Sequence, residues 1–206
     1  MQSSPEPRTR QQQKDETRAK IFAAATQLFA QNGYHATTVA DIAEAAGVAK
    51  GTFFVHFPSK DAVIAALVRI QTGAARKARL AALEKGGPVE ALRAAVLTLG
   101  ARAGVSRMLS RGVLAATLES GDVGGEASQL FDDLFAEMKE DAKAAERAGL
   151  LARGVDPETL AASLMASYLG AVLHFTSSPR AGALVPILEP LVGANLDLAL
   201  KKKRRK

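Results

Sequence analysis

Three histidines, His35, His56 and His174, stand in 206 residues, and there is no cysteine. Catalysis by a nucleophile needs a base beside it, and a bound metal needs ligands at a short, regular spacing. The histidines have no paired spacing, and Ser106, Ser110 and Ser163 have no evident base partner in the sequence. Gly86-Gly87 and Gly124-Gly125 lack the surrounding pattern that cradles phosphates or dinucleotides. Asp132, Asp133, Glu137, Glu140 and Asp141 fall on what reads as the solvated side of an amphipathic helix. Disulfides and cysteine-bound metals are excluded, no cofactor is expected, and an enzyme is not the expectation. The residues that could do other chemistry are Lys50, Gly51, Thr52 and Phe54. They are small, hydrogen-bonding or flat, as a surface entering a major groove must be.

Those four belong to the stretch Val39 to Phe57, VADIAEAAGVAKGTFFVHF, in which Phe53, Phe54 and Phe57 crowd around His56. Val39, Ile42, Ala43 and Ala46 repeat at helical spacing, Gly47 allows a positive φ in a tight turn, and Val48 supplies an apolar plug. A second helix follows from Lys50 to about Val55, too short to be stable alone. Phe53 and Phe57, four apart, can pin one face of it to Ile42, Leu28 and Phe29, leaving Lys50, Gly51, Thr52 and Phe54 outward. Two short helices around such a turn form the helix-turn-helix pattern.

The rest of the chain reads as helical throughout, and an all-α protein is expected. Residues 1–14 read as a flexible arm. Residues 15–60 read as the helix-turn-helix domain, 61–200 as a larger helical domain, and 201–206, KKKRRK, as a disordered basic tail. That tail accounts for the whole net charge of +6, so bulk charge makes no case for nucleic acid. Asn32-Gly33 ends the first helix, and Thr37 and Thr38 offer caps to the second. Ser59 caps a long helix from Lys60 toward Leu83 with Val63, Ile64, Leu67 and Ile70 inward. Helices follow over Val89–Ala103, Ser106–Glu119 and Glu126–Ala148, and one starts at Asp156-Pro157. Pro186 and Pro190 imply a last helix that begins near Pro190 or bends there. No apolar run approaches the roughly 20 residues that span a bilayer, and the N-terminus lacks a secretory h-region. A cytoplasmic protein is expected.

From Thr17 to Val63 the sequence TRAKIFAAATQLFAQNGYHATTVADIAEAAGVAKGTFFVHFPSKDAV resembles the N-terminal domain of TetR-family transcriptional regulators. The resemblance implies a three-helix DNA-binding domain on a helical regulatory domain, working as a homodimer on a palindromic double-stranded operator. By that pattern Thr38 and Lys60 contact phosphates, Lys50, Gly51 and Thr52 approach bases, and His56 lies near the backbone. The family usually has tyrosine where this chain has Phe54, so one phosphate hydrogen bond is missing. Local alternatives stand beside these roles: Thr38 also caps a helix, and His56 also packs.

The family's regulatory domains take a small-molecule effector, and the candidate residues here are Arg107, Arg111, Tyr168 and His174. Tyr168 and His174 are polar-tipped, six apart on an apolar helix and therefore on different faces. Arg107 and Arg111, one turn apart, suit an acidic ligand or a plain surface position. The last two helices are the expected dimer interface by resemblance, and Ala161, Ala162, Ala166, Gly170 and Ala171 would let them pack closely. The alternative is a DNA-binding regulator with no small ligand, controlled by a protein partner.

Overall fold

A threonine starts the first helix. The computed structural model describes residues 9–119, 125–178 and 180–201. In it the Thr9 hydroxyl accepts from the Gln12 N–H while the Gln12 side chain accepts from the Thr9 N–H. This capping box opens α1 (Arg10–Asn32), five residues before the expected start at Asp15. The polar first turn carries no apolar periodicity, so only the cap marks it. Residues 1–8 of the expected arm and 202–206 of the basic tail lie outside the described residues.

Gly33, at φ 90°, ends α1, and α2 (Val39–Ala45) and α3 (Lys50–His56) follow. α4 (Lys60–Gly86) is capped by Ser59, whose hydroxyl accepts from Ala62 N–H at 3.2 Å. Then come α5 (Pro88–Ala103), α6 (Arg107–Glu119), α7 (Glu126–Arg147), α8 (Pro157–Ser177) and α9 (Leu184–Ala199). Asp156 caps α8 with Pro157 in its first turn, as the sequence indicated. Among the described residues the only extended pairing is an isolated bridge between Leu151 and Leu200, so the fold is all-α.

Two apolar cores form. The smaller holds Ile21, Phe29, Ile42, Phe53 and Phe57 and continues into Val113 of α6 and Leu130 of α7. The larger is built from α5, α7, α8 and α9 through residues such as Leu99, Leu134, Leu164 and Leu188. α4 runs through both, with Val63, Ile64 and Val68 in the first and Ala75 in the second. At 27 residues it is about 40 Å long, a rigid rod joining the two.

Three expectations need correction. Ile70 is 53% exposed, because the buried stripe of α4 advances at the true helical period through Ile64, Val68, Gln71 and Ala75. Pro186 sits in the first turn of α9, where a missing N–H costs nothing, so the helix begins at Leu184 and not near Pro190; Pro190 lies inside it, at the position expected for a bend. By length and a mean hydropathy of 1.3, α8 would suit a membrane span after all. Its Leu160, Leu164, Val172 and Phe175 are instead buried in the larger core.

Candidate nucleic-acid interface and internal cavity

α2 and α3 make the expected helix-turn-helix. Gly47 has φ 67° in the turn, and the Val48 N–H returns to the Ala43 carbonyl at 2.9 Å. Ala49 gives α3 no side-chain cap, and seven residues cannot hold a helix by themselves. Packing holds it instead. Phe53 and Phe57 are fully buried with ring centroids 6.0 Å apart. From α1, Arg18 donates to the His56 carbonyl and lays its guanidinium 4.0 Å from the centre of the Phe57 ring. Sequence reasoning missed Arg18, since nothing in α1 alone points to a carbonyl 38 residues away.

The outward side of α3 is as expected. Lys50 and Gly51 are exposed, Thr52 is half-buried and Phe54 is 48% exposed, with its ring edge-on to Phe53. Val55, at 72% exposure, adds an apolar side chain that the sequence reading passed over. Thr38 caps α2 in a second capping box with Asp41, whose carboxylate accepts from Thr38 N–H at 2.8 Å. The Thr38 backbone and side-chain hydrogen bonds hold the Asp41 carboxyl below its ordinary pKa of 3.8.

Lys60 and His56 sit differently from a freely offered charge. The Lys60 ammonium donates to the Tyr34 and Thr37 carbonyls, both at 2.9 Å, and lies 4.4 Å from the centre of the Tyr34 ring. Tyr34 in turn donates its hydroxyl to Asp61. The cation at a helix start is thereby balanced inside the protein, and no phosphate is needed to explain it. His56 is half-buried, and its Nδ1 has no hydrogen-bond partner among the described residues. Burial, then the charges of Lys14 and Arg18, push its pKa below 6.5 and favour the neutral imidazole.

The four residues offered for a ligand separate. Tyr168 lines a cavity of about 250 Å³ enclosed by α4, α5, α6, α7 and α8. Phe131, Phe135, Met165 and Val172 give it apolar walls, and Gln71 enters from α4. Burial raises the Tyr168 hydroxyl well above its ordinary pKa. The other three lie elsewhere. Arg107 donates to the carbonyls of Phe175, Ser178 and Ala181, and its guanidinium lies 4.6 Å from the centre of the Phe175 ring. Arg111 donates to the Thr176 carbonyl at 2.6 Å. Both satisfy carbonyls at the end of α8, where cations are favoured, and neither lines this cavity. His174 is exposed on the far side of α8.

The profile of the bacterial regulatory proteins, tetR family, matches residues 21–67, from α1 into α4. The HTH-type transcriptional regulator TtgR of Pseudomonas putida is 43% identical over 61 residues, 30% of this chain and 29% of that protein. Other curated relatives match over 16% and 17% of their own length, so these matches rest on the N-terminal unit. Solved structures extend the likeness. The Thermus thermophilus FadR in complex with lauroyl-CoA, described as a TetR-family transcriptional repressor, is 26% identical over 92% of this chain and 98% of its own. Its TM-score is 0.66. SmeT, the repressor of the Stenotrophomonas maltophilia multidrug efflux pump SmeDEF, is 25% identical over 89% of this chain and 90% of its own, with a TM-score of 0.73. The matched stretch is thus a TetR-family N-terminal unit, residues 21–67, and the helical body that carries it has the fold of a solved TetR-family repressor.

Proposed function

We propose that the chain is a cytoplasmic, ligand-responsive repressor that binds a palindromic operator as a homodimer. The observation that carries the ligand-responsive part is the apolar cavity against α4, since α4 also runs from the end of the helix-turn-helix. A molecule seated beside Gln71 bears on the same rod whose other end sets the position of α3. The lauroyl-CoA held by the Thermus thermophilus repressor supports a small molecule as the effector. A regulator controlled only by a protein partner would be expected to fill this space with side chains.

Dimerisation follows from the reach of α3. A helix of seven residues makes few base contacts at about 1–3 kcal/mol each, too few to select one genomic site. Two copies on one face of DNA need their reading helices about 34–36 Å apart. Lys50, Gly51 and Thr52 are proposed at the bases, with Phe54 beside them. Thr38, His56 and the third N–H of Lys60 are proposed at the backbone, joined by Lys14, whose charge already reaches His56. The exposed apolar residues of α8 and α9, Leu169, Leu173, Leu191 and Leu198, are proposed as the contact between copies.

Selection of bound duplexes from random DNA with the full chain is the test. Inverted half-sites one helical turn apart, bound by two chains, are expected. Single half-sites bound by one chain would remove the dimer from the reading. Enrichment of no sequence at all would remove the operator.

A further inference from the structure

We propose that the effector is a compact apolar molecule that carries a hydroxyl or amine hydrogen and no negative charge, and that it donates this hydrogen to Gln71. The inference rests on the ligand-responsive reading and gives that ligand its chemistry. Gln71 is 5% exposed on α4, and its amide oxygen is buried without a hydrogen-bond partner among the described residues. A buried acceptor left unmatched is destabilising, and proteins rarely keep one without use. Gln71 lines the cavity, and rotation of its terminal amide would turn this oxygen toward a donor on a bound molecule.

Charge around the cavity decides the rest. No lysine, arginine or histidine is among its described lining residues, and its one ionisable acid is Asp132. The nearby cations are engaged elsewhere. Arg76 and Arg79 pair with Glu137, at 2.7 and 3.1 Å, and Arg79 with Asp141 at 3.2 Å. Arg107 and Arg111 hold the end of α8. An anion entering would lose its hydration, and the one charged group among the described lining residues, Asp132, carries a like charge. Asp132 and Leu169 are both exposed as well as lining the cavity, so it opens between α7 and α8. An apolar cavity of about 150 Å³ holds benzene. One of about 250 Å³ suits a fused two-ring body.

Three probes of one shape separate the possibilities: 1-naphthol, 1-methylnaphthalene and 1-naphthoate. The chain has no tryptophan, so naphthalene fluorescence reports binding to the full protein directly. 1-Naphthol is expected to bind, with 1-methylnaphthalene at least fivefold weaker and 1-naphthoate at least tenfold weaker at pH 7.5. Gln71→Leu is expected to bring 1-naphthol down to the level of 1-methylnaphthalene and leave the latter unchanged. Equal or tighter binding of 1-naphthoate overturns the proposed class and leaves a ligand-responsive regulator standing. So does a naphthol preference that survives Gln71→Leu. Binding of none of the three sinks the cavity as a ligand site, and the ligand-responsive reading with it. The wild-type series alone decides the charge question if the variant fails to fold.

Discussion

Phe54 holds a half-exposed ring on α3 where a tyrosine would also offer a hydroxyl. A phenol oxygen at that position reaches one phosphate, and one neutral hydrogen bond is worth about 0.5–1.5 kcal/mol. Phe54→Tyr is therefore expected to tighten operator binding by that amount in a titration, and unchanged or weaker affinity would count against a backbone contact there. Lys60 gives a different kind of prediction. Its ammonium serves the carbonyls of Tyr34 and Thr37, so Lys60→Met strands two acceptors between α1 and α2. Urea denaturation is expected to show a loss of about 1–3 kcal/mol with no DNA present. A lysine that acted only on phosphate would leave stability untouched and weaken binding alone.

At the scale of elements, the helix starts carry a pH dependence. Asp41 is held below its ordinary pKa of 3.8 mainly by the Thr38 backbone. Asp156 is held below it by the Thr159 hydroxyl and then the Thr159 backbone. For both, the unfolded chain binds its proton more readily. Their stabilisation is present above pH 3.8 and is lost as pH falls through the lower folded values. Asp141 runs the other way, because burial raises its pKa above 3.8 despite Arg79. Its contribution is present at acid pH and lost as pH rises through the folded value, so it offsets part of the drop. Urea midpoints at pH 5 and pH 3 are expected to fall less for Asp156→Asn, which keeps a cap without a titrating group. Helix contact supplies a second case. A Cβ at Gly100 on α5 would stand 2.5 Å from the Leu188 Cδ2 of α9, and Leu188 is fully buried. Gly100→Ala is expected to cost about 1–3 kcal/mol through that overlap, read from the same denaturation curves.

For the whole molecule the question is how one end of α4 informs the other. The cavity and the smaller core share this helix and also α6 and α7, and in the proposed mechanism a shift of α4 would pass through that core to α3. A ligand moves the balance only by its preference for one arrangement. In the proposed dimer that preference would be read as a change in the spacing of two α3 helices. The exposed leucines of α8 and α9 make the pairing testable. Leu173→Glu places a charge at a position 56% exposed in the single chain, so the monomer itself should fold normally. Sedimentation is expected to show monomers, with operator affinity at least tenfold lower. A variant that remained dimeric would move the interface elsewhere.

What the sequence determined by itself is what short-range physics controls. Glycine at 33 and 47, the caps at Thr38, Ser59 and Asp156, and the paired Phe53 and Phe57 each act within a few residues. The helices and the outward side of α3 were therefore legible. Periodicity failed where it was counted by threes, at Ile70, and where a polar cap began α1 without an apolar stripe. Only the tertiary structure decided that Arg107 and Arg111 end on α8 carbonyls, that Lys60 is held by the α1–α2 loop, and that Gln71 faces a cavity. Each depends on partners from 23 to 74 residues away, or on five helices converging, and a side chain's type says nothing of such neighbours until the helices have packed.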